Sequence, residues 1–276
     1  MDKTTIIKIG GSVITDKTKI CTPKLDNIKR LVAELKKYIN ESNEKIIIVS
    51  GGGSFPHPVA KKYYLKEGIY KSMDYNIDIE DAKLGFALCT KAASKINELL
   101  WEELLNINIS AISFRTSSIV IAKSGEIDRI FLDPLKQILK MDILPLLFGD
   151  AVFDIDWGCT IISGEQLIKE LTNHFTVQRI IVCANVDGVY TKDPFKYRDG
   201  KIIKNIGLDN LNLIDAELKG TFNSMDVTGG MDHKVNILKE LLIKKGIKSS
   251  IINGNVPQNL YKALKGEAIG TTFSVE

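Results

Sequence analysis

At 276 residues, with 44% hydrophobic and 26% charged positions, the chain holds enough apolar material for a substantial core, which excludes disordered, collagen-like and coiled-coil architectures. A formal net charge of +3 leaves no basic field of the kind a dedicated nucleic-acid binder carries, so the expected partner is a small molecule. The 37 basic residues comprise 32 Lys and 5 Arg, so any phosphate recognition falls to lysines and backbone amides rather than to guanidinium forks.

From the N-terminus onward, short β-branched runs alternate with longer segments of helical period, as parallel α/β sheets do. Strands are expected over residues 5–9, 45–49, 110–114, 143–148, 179–184 and 248–252, and helices over 25–40, 79–106, 132–140, 163–174, 231–245 and 257–264. In the long helix Leu84, Leu88, Ala92, Ile96 and Leu99 recur at near-four spacing. That stripe suits a core-facing helix and a ligand-lining one equally. Shorter β pieces, 118–122 with 126–130 and 151–153 with 159–161, read as hairpins laid over a central sheet. No repeat, low-complexity tract or Pro-rich linker interrupts the chain, so one α/β unit over 1–276 is expected, lobed near Ser163.

The four cysteines, Cys21, Cys89, Cys159 and Cys183, form no CxxC pair. With no secretory signal before Lys3, the expectation is a reducing cytoplasm. No apolar run approaches the ~20 residues a bilayer crossing needs, so no membrane partner is expected.

Four glycine-rich points follow strands or open a helix: Gly10-Gly11-Ser12, Gly51-Gly52-Gly53-Ser54, Asp187-Gly188 and Gly229-Gly230. Consecutive glycines let backbone N–H groups face an anion with no Cβ in the way, and several such loops at one sheet edge make a polyphosphate cradle. Neither GxxxxGK[ST] nor GxGxxG occurs, so neither a P-loop nor a dinucleotide fingerprint accounts for the pattern.

KIGGS at Lys8, GGGS at Gly51, GD at Gly149-Asp150, NVDGVYTKDP at Asn185 and TGGMDHK at Thr228 resemble, in order and over essentially the whole chain, the amino acid kinase superfamily. Within it, GGGSF followed by His57, together with KIGGSVITDK over 8–17, is similar to the isopentenyl phosphate kinase family and its relatives the fosfomycin kinases. Pro56 stands where the usual pattern has Gly. The resemblance implies an open αβα sandwich with a mainly parallel central sheet, in which 1–162 forms the phosphoryl-acceptor lobe and 163–276 the nucleotide lobe. It also implies ATP with Mg²⁺, an isoprenoid monophosphate acceptor and a homodimer.

Carried over by position, Lys8 and Lys234 would contact the transferring phosphoryl group and the ATP phosphates, and Lys17 would stabilise the transition state. Gly10, Gly11, Gly53 and Gly230 would supply backbone amides beside Ser12. Gly52 with His57 would bind the acceptor's phosphate, and Gly149 would also contact the acceptor. Asp150 matches the acid that orders the active-site lysines, and Asp187 and Lys192 fall around the nucleotide. Leu84, Phe86, Ala87 and Thr90 on the long helix are candidates to line a prenyl chain. No protein metal-ligand cluster is expected. The implied reaction is ATP-dependent phosphorylation of isopentenyl phosphate to isopentenyl diphosphate. The alternatives are a phosphonate acceptor such as fosfomycin, or a nucleotide sensor or storage protein without turnover.

Elementary chemistry agrees with such roles. A phosphate monoester has a second pKa of about 6, so at neutral pH its attacking oxygen is already anionic and needs no general base. The protein's task is then to bring two anions together and spread charge over the equatorial oxygens. Lys8 stands in the apolar run Ile6-Ile7-Lys8-Ile9, where a charge without an anionic partner is costly. Of the three histidines, His174 is expected as a helix-end residue and His233 as packing or solvated, which leaves His57 as the candidate phosphate ligand.

Overall fold

The strand β1 (Thr4–Ile9) buries all six of its residues, which requires cover on both faces. The chain provides that cover by alternation. After β1 come α1 (Gly11–Ile14), α2 (Leu25–Ile39), β2 (Lys45–Ser50), α3 (Pro56–Lys62), a 3-10 helix (Ile69–Tyr75), α4 (Ile79–Asn106) and β3 (Ala111–Ser113). Then follow α5 (Thr116–Ile119), β4 (Val120–Lys123), β5 (Glu126–Ile130), α6 (Asp133–Lys140), β6 (Leu144–Phe148), β7 (Asp150–Asp154) and β8 (Gly158–Ile162). The second half holds α7 (Gly164–His174), β9 (Val177–Ala184), β10 (Val189–Tyr190), β11 (Ile202–Ile203), β12 (Asn205–Gly207), α8 (Gly230–Lys245), β13 (Lys248–Asn253), α9 (Asn259–Leu264) and β14 (Thr271–Ser274). This computed structural model describes residues 3–211 and 230–275. Thr228 and Gly229 of the last glycine motif lie outside them.

Eight strands form one sheet in the order β12-β14-β13-β9-β1-β2-β6-β3. All its pairings are parallel except β13 with β14. Side chains alternate across a strand, so Ile7, Ile9 and Ile48 join Leu31 and Leu35 of α2, Leu100 of α4 and Leu264 of α9 on one face. On the other face Ile6, Ile47 and Val49 meet Leu167 and Leu171 of α7 and Leu238 of α8. Each such Ile or Leu contributes about 1.5–3 kcal/mol by leaving water. The result is an open αβα sandwich with a mainly parallel central sheet. The two hairpins, β4–β5 and β7–β8, join through parallel β4–β7 pairing into a second sheet. A third core of small residues, including Ala60, Ala82, Cys89, Ala151 and Cys159, lies between that sheet and α4.

The long helix has the expected bounds, but its buried face is not the leucine stripe. Leu84 is 53% and Leu88 38% exposed, whereas Ala82, Gly85, Cys89 and Ala93 are buried, followed by Ile96, Leu100 and Leu104. Close approach selects the small residues: a Cβ on Gly85 would fall 2.3 Å from Cγ of Tyr63, the residue that ends α3. Two further elements escape the periodicity. The helix Pro56–Lys62 is absent from the expected elements, and Pro56 occupies its first turn, where its missing N–H costs nothing. Residues 116–119 form a helical turn before β4 begins.

Candidate active site

β1 lies between β2 and β9, so the loops leaving these three strands at their carboxyl ends face one crevice, the usual ligand position of an open α/β sheet. The loops hold one another. Gly10 N donates to Cys183 O at 2.9 Å and Gly51 N to Ile9 O at 2.8 Å. A Cβ on Gly11 would fall 2.3 Å from Gly53 N, and Gly53 itself has φ +55°, so neither position accepts a side chain without moving the other loop. Thr15 Oγ1 donates to Gly11 O at 2.7 Å and accepts from Ser54 N at 3.0 Å, which fastens the two loops together.

Above these glycines is a cavity of about 340 Å³. Its β2–β6 side is walled by His57, Ala60, Cys89, Asp150, Ala151 and Ile161, and its β9 side by Asn185, Val186, Gly188, Tyr190, Pro194 and Phe195. Lys8, Lys17, Glu165, Gly230 and Lys234 also line it.

Lys8 is 5% exposed, and its Nζ donates to Glu165 Oε1 at 2.8 Å. Lys234 Nζ lies 3.2 Å from the same oxygen and donates to Gly230 O at 3.0 Å. Glu165, also 5% exposed, sits in the first turn of α7, which begins with a capping box between Ser163 and Gln166. Burial alone would raise the Glu165 carboxyl, but Lys8 and then Lys234 outweigh it and hold the group well below the usual carboxylate range. Lys8 is held below its ordinary value, first by burial, with Lys234 and Lys17 adding to that and Glu165 opposing. Two ammonium groups facing one carboxylate leave a buried excess of positive charge. Such an excess suits an anion placed between the loops, which would supply the missing negative charge.

The acid that joins the lysines is therefore Glu165, and the expectation for Asp150 is corrected. Asp150 is 2% exposed, but its carboxylate accepts from Ala151 N at 2.9 Å and Ser117 N at 3.4 Å, anchoring α5 instead of a lysine. Burial pushes its pKa up to about 6, against those hydrogen bonds and Arg115. Sequence reasoning missed Glu165 because an acid in a first helical turn is commonplace. The available signal was the Ser163-x-x-Gln166 box directly after an apolar strand, which fixes Glu165 at a helix start facing the sheet edge.

Gly10, Gly11, Ser12, Lys17, Gly52, Gly53, His57, Gly149, Asp150, Gly230 and Lys234 all line the cavity with Lys8. The Pro56 substitution leaves His57 on that wall, because the ring packs on Gly52: a Cβ there would fall 2.1 Å from Pro56 Cγ. Of the expected residues, Leu84, Phe86, Ala87, Thr90, Asp187 and Lys192 stand off the lining. Thr90 donates to Ala87 O at 2.9 Å within α4. Asp187 accepts from Asn253 Nδ2 at 2.7 Å and Tyr190 OH at 3.1 Å, behind Gly188 and Tyr190. Lys192 pairs with Asp199. Leu84 and Ala87 are exposed, and α4 reaches the cavity through Cys89. His174 ends α7 and pairs with Glu170 at 2.6 Å. Among the described residues no group of three His, Cys, Asp or Glu side chains suits a metal ion. No described helix is long and apolar enough to cross a membrane.

The sequence pattern of the amino acid kinase family matches residues 3–253. The isopentenyl phosphate kinase of Methanothermobacter thermautotrophicus is 37% identical over 272 residues, covering 97% of each chain. That of Methanocaldococcus jannaschii is 36% identical over 274 residues, again with 97% of each covered. A solved X-ray structure of an isopentenyl phosphate kinase superposes with a TM-score of 0.81 at 32% identity, covering 98% of this chain and 99% of the other. Full-length similarity of this kind, joined to two interlocked glycine loops around paired lysines, shows that the chain belongs to the amino acid kinase family, in its isopentenyl phosphate kinase group.

Proposed function

We propose that this protein transfers the γ-phosphoryl group of ATP to isopentenyl phosphate, forming isopentenyl diphosphate and ADP. The observation that carries the reading is the buried Lys8–Glu165–Lys234 cluster at the glycine loops. It is joined to a cavity wall that is polar at His57 and Asp150 and apolar at Ala60, Cys89, Ala151 and Ile161. An anionic head with a short branched hydrocarbon tail fits such a wall.

The terminal oxygen of the acceptor phosphate attacks the γ-phosphorus in line, and the bond from that phosphorus to the β–γ bridging oxygen breaks, leaving ADP. No proton has to be removed from the acceptor. Lys8 and Lys234, both held at Glu165 Oε1, neutralise the transferring group, and the shared carboxylate keeps the two ammonium groups from separating. Lys17 adds charge to the equatorial oxygens, and the amides of Gly11 and Gly53 receive the nucleotide phosphates, Gly10 N being taken by Cys183 O. His57 and Gly52 hold the acceptor phosphate, with His57 as a donor rather than a base. In this reading residues 1–162 form the acceptor lobe and 163–276 the nucleotide lobe. Asp187 and Lys192 support the nucleotide side from behind the lining. Mg²⁺ bound with ATP would be held chiefly by phosphate oxygens and water and would help neutralise the phosphate charge.

The reading places the enzyme in isoprenoid precursor supply by an alternative mevalonate route, in the cytoplasm, where its free thiols stay reduced. It also includes a homodimer. Leu84 and Leu88 of α4 and Phe153 of β7 are exposed apolar side chains, and Phe86 packs edge-to-face on Phe153, which makes the helix and sheet surfaces neighbours. Sedimentation at micromolar concentration checks this, with a 30.7 kDa species as the contrary result. The substrate assignment is tested by comparing kcat/KM for isopentenyl phosphate and fosfomycin. A strong fosfomycin preference overturns the acceptor. Absence of ADP formation with every phosphate monoester tried would favour a sensor or storage role.

A further inference from the structure

One titratable side chain beside the phosphoryl centre has no part in the transfer just described. His233 lies in the first turn of α8, directly before Lys234, and is half-buried. Its Nε2 is 3.4 Å from Oγ of Ser163, the residue that caps α7. Ser163 is 7% exposed, and its other bonds define the polarity of this contact. Ser163 Oγ accepts from Gln166 N at 3.1 Å and donates to Gln166 Oε1 at 3.1 Å, while Gln166 Oε1 also accepts from Ser163 N at 3.0 Å. The hydroxyl proton is thereby committed, and one lone pair remains for a donor. A neutral imidazole protonated on Nε2 would supply it. Burial holds His233 below its ordinary pKa, with Lys234 and Lys66 acting in the same direction and Glu165 and Glu126 against it.

The two helices joined by this contact each carry part of the ion cluster. α7 supplies Glu165 two residues after Ser163, and α8 supplies Lys234 one residue after His233. A lysine reaches its partner through a flexible four-carbon stem, so its position depends on where its helical turn is held. Gln166 Nε2 extends the link by donating to Gly125 O at 3.0 Å, in the β4–β5 turn.

We infer that His233 is a positioning residue: by donating from Nε2 to Ser163 Oγ it fixes the first turn of α8 against the cap of α7, and so sets Lys234 against Glu165 and the transferring phosphoryl group. As far as it concerns turnover, the inference rests on the kinase reading above. Displacing a catalytic group by about 1 Å costs on the order of 10²-fold in rate, and a partly loosened one costs less.

The test compares His233→Leu, which fills the space without a donor, with His233→Gln, which keeps an N–H donor at similar reach. Steady-state kinetics with ATP and isopentenyl phosphate, calorimetric titration with MgADP and thermal melting are run on both variants and on the wild type. The expected result is a roughly tenfold lower kcat and weaker MgADP binding for His233→Leu, with the KM for isopentenyl phosphate unchanged. For His233→Gln, kcat recovers to within about threefold of wild type. Wild-type kcat and MgADP affinity in the Leu variant overturn the inference, as do equal losses in Leu and Gln, which would indicate packing alone. If the wild type fails to phosphorylate isopentenyl phosphate, the substrate reading fails by itself. The MgADP titrations of Leu against Gln then still decide the role of His233.

Discussion

At the phosphoryl centre, Lys8, Glu165 and Lys234 bring three charges out of water within one cluster. On the acceptor wall, the same cavity is bounded by Ala60, Cys89, Ala151 and Ile161, with His57 and Asp150 as polar elements. The first arrangement is costly, because desolvating ions takes several kcal/mol each and the two cations are only half compensated. The second continues the small-residue core beneath the second sheet and is stabilising in the ordinary way. The contrast separates binding from stability: substitutions at the centre change folding and turnover by different amounts, whereas those on the wall act mainly on which acceptor enters.

The largest effect is expected at Glu165. Glu165→Gln leaves two buried ammonium groups facing each other, so unfolding in urea should show a loss of about 3–5 kcal/mol, with turnover down by at least ~10²-fold. Stability close to wild type would show that the lysines do not depend on the carboxylate. Lys8→Ala comes next and breaks the parallel between the two properties. It removes one cation and leaves Glu165 paired with Lys234, so turnover should fall by about 10²–10³-fold while the urea midpoint stays near that of the wild type. A midpoint that drops as far as in Glu165→Gln would place the structural burden on Lys8.

On the acceptor wall, His57→Ala should raise the KM for isopentenyl phosphate by about tenfold or more, with His57→Gln losing less because a neutral donor remains. Initial rates over a range of acceptor at saturating ATP distinguish them. Equal KM values in all three proteins would remove His57 from the acceptor phosphate.

These residues also show how far the sequence could be read. The strands around β1 were legible because β-branched runs buried on both faces carry no polar interruption except Lys8, and that interruption marked the site. The glycine loops were legible for the same reason, since paired glycines after strands have a physical purpose. Glu165 was not, because its role comes from a helix that crosses back over the sheet edge 157 positions after Lys8. Leu84 and Leu88 misled because periodicity reports an apolar face without saying what covers it. The close contact of Gly85 with Tyr63, which turns that face outward, is a tertiary fact.

Asp150 tests whether cost is confined to the lysine cluster. Its pKa is raised from 3.8 to about 6, chiefly by burial, so the folded state holds its proton more tightly than the unfolded chain does. That favours folding below pH ~4, and the advantage is lost as pH rises to about 6, above which the ionised carboxylate carries the full burial penalty. Asp150→Asn retains the acceptor oxygen for Ala151 N and removes the charge. Urea unfolding at pH 7.5 should show a gain of up to about 3 kcal/mol, shrinking as the pH approaches 4. A gain independent of pH would mean that the charge is not its source.

The smallest effect is expected at Ile161, on β8. Its side chain shares the wall with Cys89 and Ala151 and packs at the margin of the third core rather than in its centre. Shortening it to Ala enlarges the apolar side of the cavity without touching a charge, so ATP kinetics and the urea midpoint should change little. The acceptor preference should shift, because a hydrophobic pocket discriminates by about 1–3 kcal/mol per misplaced methylene-sized group. A longer prenyl tail gains room while the isopentenyl group loses contact. The ratio of kcat/KM for geranyl phosphate to that for isopentenyl phosphate is therefore expected to rise about fivefold in Ile161→Ala. An unchanged ratio, with both substrates slowed alike, would move the tail away from β8 and leave α4, through Cys89, as the surface that measures acceptor length.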